Sequence, residues 1–184
     1  MNKESSLAAQ IIRQGSEVVV IVLVAAGLQV LWSAHLLGAR AFCLVVLAAA
    51  FAKTAFFFVE NLQHILIATR DNMPYHRVLG LMGVNMAQIT LAFALDYWCL
   101  EMAEPASFSS INAAYSQGEQ LFEFFFFSVL NFSFFGFGDV TPQTIPAKLV
   151  TMMEVLLAFF TVIFLLSDFV SLKDSLRVRK QHED

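Results

Sequence analysis

Four stretches of this chain are too long and too apolar for a water-soluble domain: residues 18–37, 41–59, about 78–100 and about 147–170. A helix of about 20 apolar residues crosses a hydrocarbon core of about 30 Å. Charged residues make up 14% of the chain, against about 25% in ordinary soluble domains. Length and composition therefore agree on an all-α integral membrane protein with four transmembrane helices.

The basic residues orient the spans. Lys3, Arg13, Arg70, Arg77 and the terminal Lys173, Arg177, Arg179 and Lys180 fall on one side of four spans. Asp96, Glu101, Glu104 and Glu119 fall on the other. By the positive-inside rule both termini are cytoplasmic, in a plasma or inner membrane, with Arg40 the minor exception. Because the two signs are segregated, the formal net charge of −4 says little about partners. The bilayer is the first partner, and none is expected to be a nucleic acid.

Residues 1–16 form a cytoplasmic N-terminal segment, and Glu4 and Glu17 make them a poor signal-peptide lead. The very short turn Gly38-Ala39-Arg40 makes residues 17–60 a tight antiparallel helical hairpin. Lys53 lies inside the second span, where a charge costs about 2.5–3.5 kcal/mol on insertion scales. Glu60, on roughly the same helical face, is a candidate partner; snorkelling to the interface is the alternative. Residues 61–77 read as a polar cytoplasmic connector, and the spacing of His64 and His76 matches no metal-ligand pattern. The third run ends in Asp96, Tyr97 and Trp98, an expected interfacial anchor. Cys43 and Cys99 are too few for a disulfide framework. They read as lipid-facing thiols, with a bridge near one membrane face as the alternative.

Between the third and fourth runs the pattern changes. Residues 118–132 suit a helix too short to cross a bilayer, with Glu119 and Glu123 near its favourable N-terminal end. Residues 133–139 then read Ser-Phe-Phe-Gly-Phe-Gly-Asp, followed by Val140-Thr141-Pro142. Two glycines separated by one residue, then an aspartate and a proline, do not continue a helix. Non-helical backbone at membrane depth requires protein or a water-filled path to satisfy its polar groups. A glycine-rich loop there suggests carbonyl oxygens facing a permeating ion. The sequon Asn131-Phe132-Ser133 is expected to be buried and unmodified.

The run Phe127-Ser128-Val129-Leu130-Asn131-Phe132-Ser133-Phe134-Phe135-Gly136-Phe137-Gly138-Asp139-Val140-Thr141-Pro142 resembles the pore loop of potassium channels. The family pattern is Phe-Ser-Val-Val-Thr-Leu-Thr-Thr-Val-Gly-Tyr-Gly-Asp-Ile-Thr-Pro, and no gap is needed. The resemblance continues through Lys148, which matches the basic residue opening the family's inner helix. It implies a pore domain over residues 78–172, with a re-entrant pore helix at 118–132, a filter at 133–139 and an inner helix at 147–172. Residues 173–184 are left as a cytoplasmic basic tail. The two helices before the pore domain have no counterpart in a minimal two-helix channel.

The same resemblance implies a homotetramer conducting monovalent cations, chiefly K+ and alternatively Na+, with no cofactor and no other metal. Backbone carbonyls of Phe134, Phe135, Gly136, Phe137 and Gly138 would replace the ion's water. Asp139 would sit at the outer mouth. Asn131 and Ser133 stand where the family has threonines and would support the filter. Phe134 replaces the threonine whose hydroxyl completes the innermost site. Phe135 replaces a valine that packs behind the filter, so the surround must be enlarged. Phe137 replaces the usual tyrosine and lacks its hydroxyl clamp. Ala158 occupies the position of the inner-helix hinge glycine and favours a straighter helix.

Two intramembrane carboxylates are functional candidates by position. Glu154 would brace the filter from behind, through Lys53 or a polar group of the pore helix. Asp168, with Ser167 beside it, would line the inner vestibule. The alternatives are a neutral, protonated Glu154 and an interfacial Asp168. Arginines at every third residue are missing from all spans, so gating is expected from the filter, the bilayer, the extra hairpin or a regulatory protein partner. A weakly selective pore and a non-conducting regulatory subunit are the alternative functions. No nucleophile elbow, metal-ligand spacing or acid–base pair points to an enzyme, and no internal repeat points to a carrier.

Overall fold

The computed structural model describes residues 3–70, 75–112, 114–136 and 138–181. Side-chain surroundings are described for residues 16–63, 79–112, 114–136 and 138–166. Five helices follow in order: α1 (Lys3–Ser33), α2 (Ala39–Arg70), α3 (Tyr75–Ala103), α4 (Gln117–Phe132) and α5 (Ile145–Gln181). Four of them contain stretches able to cross a bilayer: Ser16–Ser33, Ala39–Gln63, Leu79–Ala103 and Ile145–Leu166. The chain is an all-α, multi-pass integral membrane protein. Among the described residues the one extended pairing is an isolated bridge between Phe108 and Pro142.

Helix α3 is the hub, in contact with α1, α2, α4 and α5. Residues 92–100 are all buried, so Asp96, Tyr97 and Trp98 lie inside the protein and form no interfacial anchor. The reason is aromatic packing. The Tyr97 ring sits 5.1 Å from Phe127 and 5.3 Å from Phe108, and Phe108 sits 5.1 Å from Phe124. These edge-on pairs lie in the geometry aromatic quadrupoles favour, and they join α3, α4 and the loop between them.

The first two spans do not form a tight hairpin. Trp32 packs on Phe42 near their shared turn, with ring centroids 5.1 Å apart. Beyond it, α1 turns to α3, while α2 lies against α3 and α5. A groove of about 390 Å³ opens between α1 and α2, lined by Val20, Ile21, Val24, Ala52, Phe56 and Phe57 together with Lys53. Lipid tails are as apolar as these side chains, so no hydrophobic force draws α1 and α2 together. Polar pairing decides instead. Lys53 Nζ lies 2.5 Å from Asp96 Oδ1 and donates to the Ala92 carbonyl at 3.2 Å. The partner of Lys53 is therefore Asp96 on α3 and not Glu60.

The connector expected at residues 61–77 is helical through Arg70. Asn61 is fully buried. Its amide donates to Thr161 Oγ1 at 2.8 Å and its oxygen accepts from Asn85 Nδ2 at 2.5 Å. Helix partners thus satisfy a residue that looked like loop, and α2 is tied to both α3 and α5. The cysteines are also placed differently from expectation: Cys43 and Cys99 are free and buried.

Candidate functional site

Helix α4 begins with a reciprocal cap. Ser116 Oγ accepts from the Glu119 N–H, and the Glu119 carboxylate accepts from the Ser116 N–H at 2.7 Å. Two otherwise unpaired N-terminal donors are satisfied this way. These hydrogen bonds hold the Glu119 carboxyl below the usual glutamate range. At the other end, Ser133 Oγ lies 2.8 Å from the Val129 carbonyl, to which it donates, and 3.1 Å from the Leu130 carbonyl. Ser133 therefore closes α4 and makes no hydrogen bond to Glu154.

The loop that follows has a regular backbone signature. Phe134, Gly136 and Gly138 have φ of 60°, 97° and 58°, while Phe135 between them stays at negative φ. Glycine adopts positive φ freely; Phe134 does so at about 1–2 kcal/mol. The Phe134 N–H reaches the Asn131 carbonyl at 3.2 Å and the Phe135 N–H reaches the Leu130 carbonyl at 3.0 Å. Phe137 lies outside the described residues.

The loop is held from two directions. On its outgoing side, Ser109 N–H donates to the Thr141 carbonyl at 2.9 Å and Gln143 N–H to the Ser107 carbonyl at 2.7 Å. The Ser109 and Thr141 hydroxyls lie 2.6 Å apart, and Ser109 Oγ also reaches the Asp139 carbonyl at 3.4 Å. The Glu101 carboxylate shapes this segment by accepting the Ala106 and Phe108 N–H groups at 2.9 and 3.0 Å.

From behind, Glu154 reaches in from α5, with a relative exposure of 0%. Its carboxyl meets Tyr97 Oη of α3 at 2.5 Å, Asn131 Nδ2 of α4 at 3.4 Å, and Ser128 Oγ of α4 in a short hydrogen bond. Three helices thus converge on one carboxyl beside the C-terminal half of α4. Glu154 thus meets polar groups of α4, and Lys53 is not among its partners.

The remaining candidates separate. Asp139 is exposed and Ala158 is fully buried in the core. Phe134 is 48% exposed and Phe135 85% exposed within one chain. Phe135 is therefore not packed behind the loop by its own chain. Ser167 and Asp168 belong to α5, and their side chains lie outside the described residues. Among the described residues no cluster of histidine, cysteine or carboxylate side chains could hold a metal ion.

Residues 86–173, from mid-α3 through the loop and most of α5, match the family model described as Ion channel. This segment is similar to that ion-channel family. Comparisons with curated proteins and with solved structures give no match. The channel segment contains every group described around the loop: Tyr97, Ser109, Ser128, Asn131, Thr141 and Glu154.

Sequence reasoning missed Tyr97, Ser128, Ser109 and Thr141 as supports of the channel loop. One signal was present for Tyr97. Asn85, Gln88 and Asp96 follow each other at helical spacings on α3, and intramembrane polar residues face protein rather than lipid. That stripe marks α3 as enclosed and argues against an interfacial position for Tyr97. Ser109 and Thr141 carry no such signal, because their pairing depends on two loops meeting.

Proposed function

We propose that the chain forms a homotetrameric cation channel, chiefly for K+, with residues 133–139 as its filter. The positive φ at Phe134, Gly136 and Gly138, in a loop that does not continue the helix, supports this reading. A dehydrated cation needs backbone carbonyls in place of its water, and such a loop can supply them. One chain supplies one loop, and a closed ring about an axis needs several. In this reading α4 re-enters from the outer face, Asp139 concentrates cations at the mouth, and both termini are cytoplasmic.

Purified protein in liposomes, assayed for K+ against Na+ flux, tests the proposal. K+ flux several-fold above Na+ flux is expected. Equal flux would support a weakly selective pore; no cation flux at any voltage or pH would refute conduction by this chain alone. The exposure of Phe135 favours one second reading, a subunit whose phenylalanines plug the ring and which serves a regulatory partner. Ion density on the axis of a tetramer, or phenylalanine density in its place, separates the two.

A further inference from the structure

Ser128 and Glu154 share a short hydrogen bond inside the protein. Ser128 Oγ has two hydrogen-bond neighbours: Glu154 Oε1, at short range, and the Thr90 carbonyl oxygen at 2.9 Å. A serine hydroxyl carries one proton, and a peptide carbonyl has none to give. With Glu154 as a carboxylate, two acceptors would compete for that single proton. One oxygen–oxygen contact would then lack a hydrogen where Ser128 and Glu154 are both fully buried. Two buried oxygens held in contact with no hydrogen between them repel, in surroundings that screen poorly.

A proton on Glu154 Oε1 fills every contact. The acid hydroxyl donates to Ser128 Oγ, and Ser128 donates to the Thr90 carbonyl. The Tyr97 hydroxyl and the Asn131 amide both donate to Oε2. We infer that Glu154 is a neutral carboxylic acid acting as a positioning residue. Its proton ties α5 to α4 and, through Ser128, ties α4 to the α3 backbone.

The surrounding charges are consistent. From α3, Glu154 faces Tyr97 and, more distantly, Asp96. Asp96 is itself held by Lys53 from α2. From α4 it meets Ser128 and Asn131, neither of which titrates. An ionised Glu154 would put a second negative charge near Asp96, and no cation contacts it among the described residues.

The proton assignment stands on hydrogen-bond geometry and does not depend on the channel reading above. The folded protein holds this proton where the unfolded chain has released it, above about pH 4, so stability falls as pH rises. Infrared spectra of the full chain in liposomes at neutral pH test the assignment directly. A protonated-carboxyl band is expected, lost in Glu154→Gln and kept in Asp139→Asn. Absence of that band in the unaltered protein overturns the assignment, whether or not the protein conducts. Thermal stability supplies the second measurement. Glu154→Gln can still donate to Ser128, so it should recover most of the stability lost in Glu154→Leu and should lack the alkaline decline. Equal loss in both variants, or the same decline in Glu154→Gln, overturns the positioning role.

Discussion

Removing the charge of Lys53 isolates Asp96, which is 1% exposed where Lys53 is 18% exposed. In Lys53→Met the carboxylate can stay charged, and breaking a buried pair by deleting one partner costs about 3–5 kcal/mol. It can instead take up a proton. For a carboxyl of ordinary pKa, about 3.9, that costs about 4 kcal/mol at pH 7. The cheaper route sets the loss, so Lys53→Met should destabilise by no more than about 4 kcal/mol. Asp96→Asn should cost less, because the partly exposed Lys53 can swing its long stem along the groove between α1 and α2. The double variant Lys53→Met/Asp96→Leu removes both charges, and such replacements are often neutral or stabilising by about 1–4 kcal/mol. The double variant should therefore be more stable than Lys53→Met.

The assay is denaturation of the purified protein in lipid nanodiscs at several pH values. Folded Lys53→Met would hold a proton on Asp96 that the unfolded chain lacks above about pH 4. Its stability therefore falls as pH rises, and its defect should shrink by about 1.4 kcal/mol for each unit of acidification down to that point. A Lys53→Met variant no less stable than the double variant would refute a structural ion pair. A defect unchanged by pH would refute the protonation route.

Two further predictions concern the loop and the helix that carries it. Gly138→Ala adds a Cβ 3.1 Å from Leu130 Cδ1 at a φ of +58°, and the left-handed backbone alone costs about 1–2 kcal/mol. It should reduce ion flux, and Leu130→Ala in the same chain should relieve the contact but not the strain; full recovery of flux would show the strain to be irrelevant. The Glu119 cap contributes above the ordinary glutamate pKa and is lost as pH falls through its depressed value. Amide exchange over residues 117–121 should therefore quicken in acid, and Glu119→Gln should remove that dependence; an exchange profile identical in both proteins would count against the cap.

Much of this protein is legible in one dimension. Whether a segment enters a bilayer depends on its summed transfer free energy, which composition over about 20 residues fixes. The capping pair Ser116 and Glu119 and the glycines at 136 and 138 act through neighbours along the chain, so their local structure follows from local sequence. The four spans, the short fourth helix and the break before Asp139 are all of this kind. The ion-channel likeness of residues 86–173 is likewise carried by a contiguous run.

Partners across the fold are another matter. Lys53 could not be matched to Asp96 from sequence, because that pairing depends on the rotation of α2 against α3. In a bilayer both faces of a helix can be apolar, and hydropathy carries little information about rotation. The same ambiguity hid the burial of Tyr97, Cys43 and Cys99, and made Asn61 look like loop until Asn85 and Thr161 enclosed it. It left open which groups Glu154 would meet. Only the packed structure brings Tyr97, Ser128 and Asn131 to that carboxyl, because α3, α4 and α5 must meet there. The chain chose its spans by composition; the helix crossings chose which polar groups meet.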